Sequence, residues 1–328
     1  MAEKIVLDVD TGVDDALAIL LALNSPEVEV LACTTVAGNV TVDQTTLNTL
    51  MVLEAAGRSD IPVAKGATRP LARRLTTATY FHGPTGLGRV ELPAPTISPV
   101  EVDGPHMLLN MANRFAGELT VVAVGPLTNL ALALLIDPDF GRKLKRLVIM
   151  GGAVRTQGNI TPVAEANFYN DPEAAQAVLH CGAPITLVGL DVTHQSVIYW
   201  NDIAFLDDHL ATLSPTGRLS LELLRFYTQC YGATGGAHLH DPLAVGVVLQ
   251  PDLVTTERMQ VDIETHGRLT RGQSVGYSHL NIDLIEDKGD YDDAIGIRVE
   301  HPSNAEVCLE VKADEFVQIF RERLGLKV

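Results

Sequence analysis

An apolar run, Ile5-Val6-Leu7, leads through Asp8-Val9-Asp10-Thr11-Gly12-Val13-Asp14-Asp15 into a second apolar run, Ala16-Leu17-Ala18-Ile19-Leu20-Leu21. The first run has the length of a buried strand, Gly12 supplies a turn, and the second run continues as a helix. In an open α/β sheet such a loop sits at the carboxyl end of its strand, where these folds keep their ligands. Four aspartates crowded into that loop repel one another. A cation, or the hydroxyls of a sugar, is what resolves the repulsion.

The rest of the chain supports this fold class. Apolar, β-rich runs recur at residues 28–36, 119–124, 147–150 and 185–190, separated by helically spaced stretches at 43–56, 127–135 and 172–179. Strands alternating with helices predict a mostly parallel central sheet flanked by helices, Rossmann-like in its winding. Beyond residue 195 the pattern changes to long helical stretches, 215–231 and 242–249, and then to a Gly- and Thr-rich section, 254–277, with the look of a β-hairpin. No linker divides the sequence, so residues 1–328 are expected to form a single α/β domain. The segment from Thr76 to Gly88 has three glycines and no periodicity, which predicts an irregular, mobile loop of the kind that closes over substrates.

Acidic residues outnumber Lys and Arg by 41 to 24, for a formal charge of -17, which sets the surface against a bare nucleic-acid backbone. The expected partner is a small molecule, with neither nucleic acid nor membrane involved. Cys33, Cys181, Cys230 and Cys308 are too scattered for a zinc knuckle or a redox pair and read as buried free thiols. Met1-Ala2-Glu3-Lys4 leads straight into the first strand with no signal-peptide pattern, so a cytoplasmic location is expected.

Two further polar segments carry chemistry. Gly158-Asn159 through Glu165-Ala166-Asn167 runs into Asp171-Pro172-Glu173, a helix cap and first turn. Carboxamides and a carboxylate together offer the donors and acceptors that several sugar hydroxyls require, although capping is the commoner use of Asn in such loops. In His240-Asp241-Pro242 the aspartate is placed to cap a helix starting at Pro242, or to reach the same cation as the first loop, with His240 beside it as a proton donor. Tyr227 and Tyr231, four apart in the long helix, share a face that can stack on a nucleobase or pack in the core. Trp200 is equally ambiguous. His106, His180, His209 and His301 read as surface or packing residues. The acidic group Asp283, Glu286, Asp287, Asp290, Asp292 and Asp293 lacks the order of an EF-hand and reads as a solvated loop.

Taken together, the opening pattern DxDxGxDDxxA from Asp8 to Ala18, Ala37-Gly38-Asn39-Val40, Val124-Gly125-Pro126-Leu127-Thr128-Asn129, Met150-Gly151-Gly152, the Asn159 to Asn167 stretch and His240-Asp241-Pro242 resemble the inosine-uridine-preferring nucleoside hydrolase family over nearly the whole chain. The resemblance implies calcium-dependent hydrolysis of the N-glycosidic bond of ribonucleosides to ribose and free base, in nucleoside salvage, by a homodimer or homotetramer. It implies a calcium ion held by Asp10, Asp15, Asp241 and the carbonyl of Val124, with Asp10 also the general base toward the nucleophilic water. It further implies Asp14, Asn39, Asn159, Glu165 and Asn167 on the ribose, Met150 lining the sugar pocket and Asp8 supporting the loop from behind. His240 would be the leaving-group acid and His82, in the HGxxGLG loop, would contact or cover the base. Pro84-Thr85 departs from the acid or amide that many relatives carry there, and base preference is left open.

Two rival readings use the same residues. Asp8-Val9-Asp10 after a strand invites a phosphatase of the haloacid-dehalogenase type, but Thr11 precedes Gly12 where that class has the reverse order, and Asn39, Glu165, Asn167 and Asp241 go unexplained. A catalytically silent ribonucleoside- and calcium-binding protein would keep the pocket without turnover.

Overall fold

The computed structural model describes residues 2–232, 235–277 and 303–327. The acidic group at 283–293 and His301 lie outside the described residues. The central sheet carries β1 (Glu3–Val9), β2 (Val28–Thr35), β3 (Val63–Lys65), β4 (Leu119–Ala123), β5 (Arg146–Met150) and β6 (Ile185–Val188), all parallel, in the order β3-β2-β1-β4-β5-β6. This is the doubly wound order. The direction of winding reverses between β1 and β4, the position at which such sheets open a ligand crevice.

A short pair, β7 (Val197–Tyr199) with β8 (Gly236–His238), stands apart from the main sheet. The main sheet is extended by β9 (Val254–Ile263), β10 (Ser274–Tyr277) and β11 (Ala305–Val311). β9 and β10 form the antiparallel hairpin expected from the sequence, and β11 joins it to the parallel sheet by pairing with β6 in parallel and β9 in antiparallel sense.

Helices cover both faces. They are α1 (Val13–Leu23), α2 (Val42–Ala55), α3 (Thr79–His82), α4 (Gly104–Arg114), α5 (Thr128–Ile136), α6 (Ala166–Asn170), α7 (Pro172–Leu179), α8 (Leu190–Thr193), α9 (Trp200–Asp208), α10 (Pro215–Tyr231) and α11 (His240–Leu249), with a C-terminal helix at Ala313–Arg323. None of the described helices is long and apolar enough to cross a membrane.

Alternation along β1 sorts the two cores. Ile5, Leu7 and Val9 pack into the layer holding α1, α10 and α11, while Val6 packs into the layer holding α4, α5 and α7. Asp8 has the parity of Val6, so its side chain faces α5. There it accepts hydrogen bonds from Thr34 Oγ1 (2.5 Å) and Asn129 Nδ2 (2.7 Å). Beyond Val9 the chain leaves the sheet, and the carboxylates that follow are free to gather above its edge.

Two local expectations are corrected. The Thr76–Gly88 segment contains a helical turn, α3, because the carbonyl of Ala78 accepts from the amides of both Phe81 and His82. It is also pinned, since Asn48 Nδ2 donates to the carbonyls of Thr11 (2.9 Å) and Thr85 (2.8 Å). Secondly, α11 begins at His240 rather than Pro242, and Asp241 makes no capping bond. Its carboxylate turns toward the aspartate loop instead.

Candidate active site

The site is built on the ends of adjacent parallel strands. β1 delivers Asp10, the segment after β2 delivers Asn39, and the segment after β4 delivers Val124 and Gly125. Asp15, in the first turn of α1, folds the loop around itself: its Oδ1 accepts from the amide of Asp10 (3.0 Å), and its Oδ2 accepts from the amide of Gly12 (2.8 Å) and from Asn39 Nδ2 (3.1 Å). Asp10 Oδ2 accepts from the amide of Asn39 (2.7 Å). This packing leaves no room for side chains at the neighbouring turns. A Cβ on Gly12 would lie 2.6 Å from His82 Nδ1, and one on Gly38 would lie 2.0 Å from Asp10 Oδ2.

Oxygens of Asp14, Asp15 and Asp241 lie within 4.8 Å of one another, all three residues being buried. Asp10 adjoins Asp15. Burial and the charge of Asp15 push the Asp10 carboxyl well above its usual range, and burial with the charges of Asp14, Asp15 and Asp10 does the same to Asp241. Asp15 rises to about 7 through burial and the charge of Asp14. Among the described residues the only basic side chain within ion-pair distance of these four is His82, 3.7 Å from Asp14 Oδ1. That Asp14 oxygen is buried without a hydrogen-bond partner. Converging hard oxygens, one of them unsatisfied, fit a divalent cation of the oxygen-loving kind.

Opposite the carboxylates stands an aromatic wall. Tyr227, fully buried, donates from its hydroxyl to Asp14 Oδ2 (2.8 Å), and its ring packs edge-on against Tyr231 and Phe81. The Tyr231 hydroxyl lies 2.7 Å from His240 Nε2, whose Nδ1 lies 2.7 Å from Thr193 Oγ1. Burial, together with the nearby His238, His194 and His82, holds His240 well below the usual imidazole range, so it is neutral at pH 7. His82 is buried beneath the loop, where its Nδ1 accepts from the amide of Val13 (3.2 Å).

The second polar segment lies across the cleft. Glu165 caps α6, accepting from the amides of Gly152 (3.0 Å), Asn167 (2.8 Å) and Phe168 (3.1 Å), and burial raises its carboxyl to about 7. Asn167 Nδ2 donates to the carbonyls of Val124 (2.8 Å) and Met150 (3.2 Å), which places all three residues together. Asn159 is exposed and uses its Oδ1 to accept from the amide of Ala166 (3.0 Å). Asp10, Asn39, Thr77, Tyr80, Asn167 and Tyr169 are among the residues lining a narrow cleft of about 30 Å³. Larger surface grooves, of about 300 and 500 Å³, lie away from the carboxylates and gather no comparable chemistry.

Comparison with known proteins agrees with this geometry. Residues 5–318 match the model of the family described as inosine-uridine preferring nucleoside hydrolase. The chain belongs to this nucleoside hydrolase family. The hydrolase is 39% identical to the Probable uridine nucleosidase 2 of Arabidopsis thaliana, over 96% of its own length and 98% of that protein. It is 40% identical to the Pyrimidine-specific ribonucleoside hydrolase RihA of Citrobacter koseri, over 99% of both chains. A solved plant nucleoside hydrolase, the PpNRh1 enzyme, superposes with a TM-score of 0.89 at 35% identity, covering 99% of both chains. It is therefore a hydrolase acting on the N-glycosyl bonds of ribonucleosides.

The phosphatase reading fails on geometry as well as kinship, since Asp8 is fully buried and bonded to Thr34 and Asn129, out of reach of a substrate. Cys33, Cys181 and Cys308 are buried free thiols as expected. Cys230 is half-buried and donates from Sγ to the carbonyl of Phe81 (3.1 Å). Trp200 opens α9 at the surface, away from the carboxylates. Sequence reading missed Thr193 and Tyr80. Thr193 meets His240 across 47 residues, and no local pattern announces such a pairing. Tyr80 is 71% exposed at the cleft mouth, and its place in a glycine-flanked loop was the one available signal.

Proposed function

We propose that this hydrolase cleaves uridine and related pyrimidine ribonucleosides to ribose and free base, with calcium as its cation, in nucleoside salvage. The observation that carries the reading is the gathering of Asp10, Asp14, Asp15 and Asp241 at the switch point of the sheet, tied through Tyr227 to a Tyr231–His240 pair on the facing wall. The relatives named for uridine and pyrimidines support the choice of base. A cytoplasmic homodimer or homotetramer, with each chain a single α/β domain, completes the proposal.

Asp10, Asp15, Asp241 and the Val124 carbonyl would hold the calcium ion. Bound there, the ion supplies positive charge that orients ribose hydroxyls and acidifies water. The chain's own groups do the remaining work. Asp10, fixed by the Asn39 amide, accepts the proton of the attacking water. Asp14, locked by Tyr227, receives a ribose hydroxyl through the oxygen that lacks an internal partner. Asn39, Asn159, Glu165 and Asn167 complete the sugar's hydrogen bonds. Glu165 acts mainly as the anchor of the loop that presents Asn167, and Met150 borders the ribose. The buried carboxylates favour the positive charge that develops on the sugar as the bond to the base stretches.

The departing base carries negative charge, and the Tyr231–His240 pair is where a proton is available to neutralise it. Because burial keeps His240 neutral, the proton comes from a neutral N–H or O–H within the pair rather than from an imidazolium. His82 and Phe81 border the base from the loop, and Tyr80 stands at the entrance.

The test is ribose release from uridine, cytidine, inosine, adenosine and guanosine, with calcium and after exhaustive chelation. Calcium-dependent release that is fastest with uridine or cytidine is expected. Release of similar size after verified calcium removal would overturn the cation assignment, and a purine ranked first would overturn the choice of base.

A further inference from the structure

Three imidazoles from separate elements converge behind the leaving-group wall. His194 follows α8, His238 lies in β8 and His240 opens α11. Their ring centroids are 5.1 Å (His194 to His238), 5.7 Å (His238 to His240) and 5.9 Å (His194 to His240) apart. The point equidistant from the three centroids is about 3.2 Å from each. A zinc–nitrogen bond of ~2.0–2.1 Å, plus roughly 1.2 Å from a ring nitrogen to the ring centre, gives about the same separation. Turning an imidazole about its Cβ–Cγ bond sweeps its nitrogens while leaving the ring centre almost in place. The spacing of the ring centres therefore matches one shared ion once the rings turn, since in their present orientation the nitrogens do not converge.

The chemical state of the rings suits such an ion. His238 Nδ1 is buried without a hydrogen-bond partner, while His194 and His238 are both only half-buried, so the group opens to solvent. Burial and the nearby His194 hold His238 down to about 4, and burial holds His194 below its ordinary value, which keeps both rings in the neutral form that binds metal. The donors here are nitrogens, unlike the oxygens of the aspartate cluster, and that difference selects a different class of cation. His240 at present shares its nitrogens with Tyr231 and Thr193, so joining the ion means giving up one of these contacts.

We propose that His194, His238 and His240 form a site for a borderline-soft divalent transition ion of the zinc type, separate from the aspartate cluster, and that its occupancy withdraws His240 from Tyr231 and stops turnover. The binding half stands on the geometry alone. The inhibitory half rests on the role given to His240 under the proposed function.

Calcium-saturated enzyme is titrated with zinc by calorimetry and with cobalt(II) as a spectroscopic probe. One ion per chain is expected, with the visible bands of nitrogen-ligated cobalt. Affinity should fall at least about tenfold in His194→Gln, in His238→Asn and in the double variant, and persist in Asp15→Asn. The calcium-dependent thermal transition reports whether the double variant is folded, and zinc should raise the melting temperature of the parent enzyme but not of either single variant. Zinc should inhibit the parent enzyme, with at least about tenfold more needed for the double variant. Missing cobalt bands, a sulfur-to-cobalt charge-transfer band, or equal binding by the folded double variant would overturn the site. Tight zinc binding that leaves turnover unchanged would overturn the inhibitory half, and with it the assignment of His240 to the leaving group.

Discussion

Replacing Gly38 by Ala tests whether the placement of Asp10, rather than its mere presence, sets the rate. The φ of Gly38 lies outside the left-handed region, so alanine brings no backbone strain. Its Cβ, however, would stand 2.0 Å from Asp10 Oδ2 and 2.8 Å from Pro126 Cδ, so neither side offers a retreat. Restoring ordinary contact at 3.4 Å displaces the Asp10 oxygen by about 1.4 Å and breaks its 2.7 Å hydrogen bond from the Asn39 amide. Misplacement of a reacting group by ~1 Å costs on the order of 10²-fold, about 2.7 kcal/mol of barrier. Overpacking costs about 1–3 kcal/mol of stability, a few degrees in Tm. The assay is the initial rate of ribose release across uridine concentrations at saturating calcium, alongside thermal melts. Gly57→Ala, at a left-handed position with nothing within 4 Å, serves as a control that loses stability without losing rate. A Gly38→Ala enzyme that melts cooperatively and turns over within about threefold of the parent would refute the reasoning.

Other expectations follow from the same contacts. Asp10→Ala should abolish nearly all turnover with the fold intact by circular dichroism, and retained activity would remove Asp10 from the reaction. Calcium at about 100 times its Kd should stabilise the parent by roughly 2.7 kcal/mol, read as a rise in Tm that is lost in Asp241→Asn; an unchanged response would place the ion elsewhere. Tyr231→Phe should lower kcat on uridine far more than KM, and should spare a riboside whose leaving group needs no proton. An equal loss on both substrates would make Tyr231 a packing residue. Burial would raise the Glu3 carboxyl, but hydrogen bonds from Lys145, Thr120 and Arg146 outweigh it and hold the group below its ordinary 4.5. Its ionised form therefore contributes stability above that value, which is lost as pH falls through the lower folded value. The Tm difference between the parent and Glu3→Gln should accordingly shrink on acidification, and a constant gap would contradict the sign.

Much of the architecture was legible because burial on both faces turns parallel strands into continuous apolar runs, as at residues 119–124 and 147–150. The two-residue periodicity of β1 even separates Asp8 from its neighbours. Short elements escaped notice: β3, β7 and β8 are three residues each, too brief for any period to register. The aspartate loop announced itself through charge density that no solvated turn requires. The Tyr231–His240–Thr193 chain did not, because its members are brought together by helix packing rather than by spacing. His82 was read as a loop residue, yet it closes the helical turn α3 and is buried against the aspartate loop, where the Val13 amide and Asp14 give its imidazole partners.

Asp10 sits at the end of β1, Asp15 in α1 and Asp241 in α11, whereas the wall proposed to face the base includes α3, a short helical turn whose Tyr80 is 71% exposed. The carboxylates are held by hydrogen bonds within the buried crevice, while a change at Tyr80 touches little of the core. On the proposed function, bond cleavage and choice of base are therefore partly separable for selection, so a lineage built on this scaffold can change its diet of nucleosides without relearning how to fold.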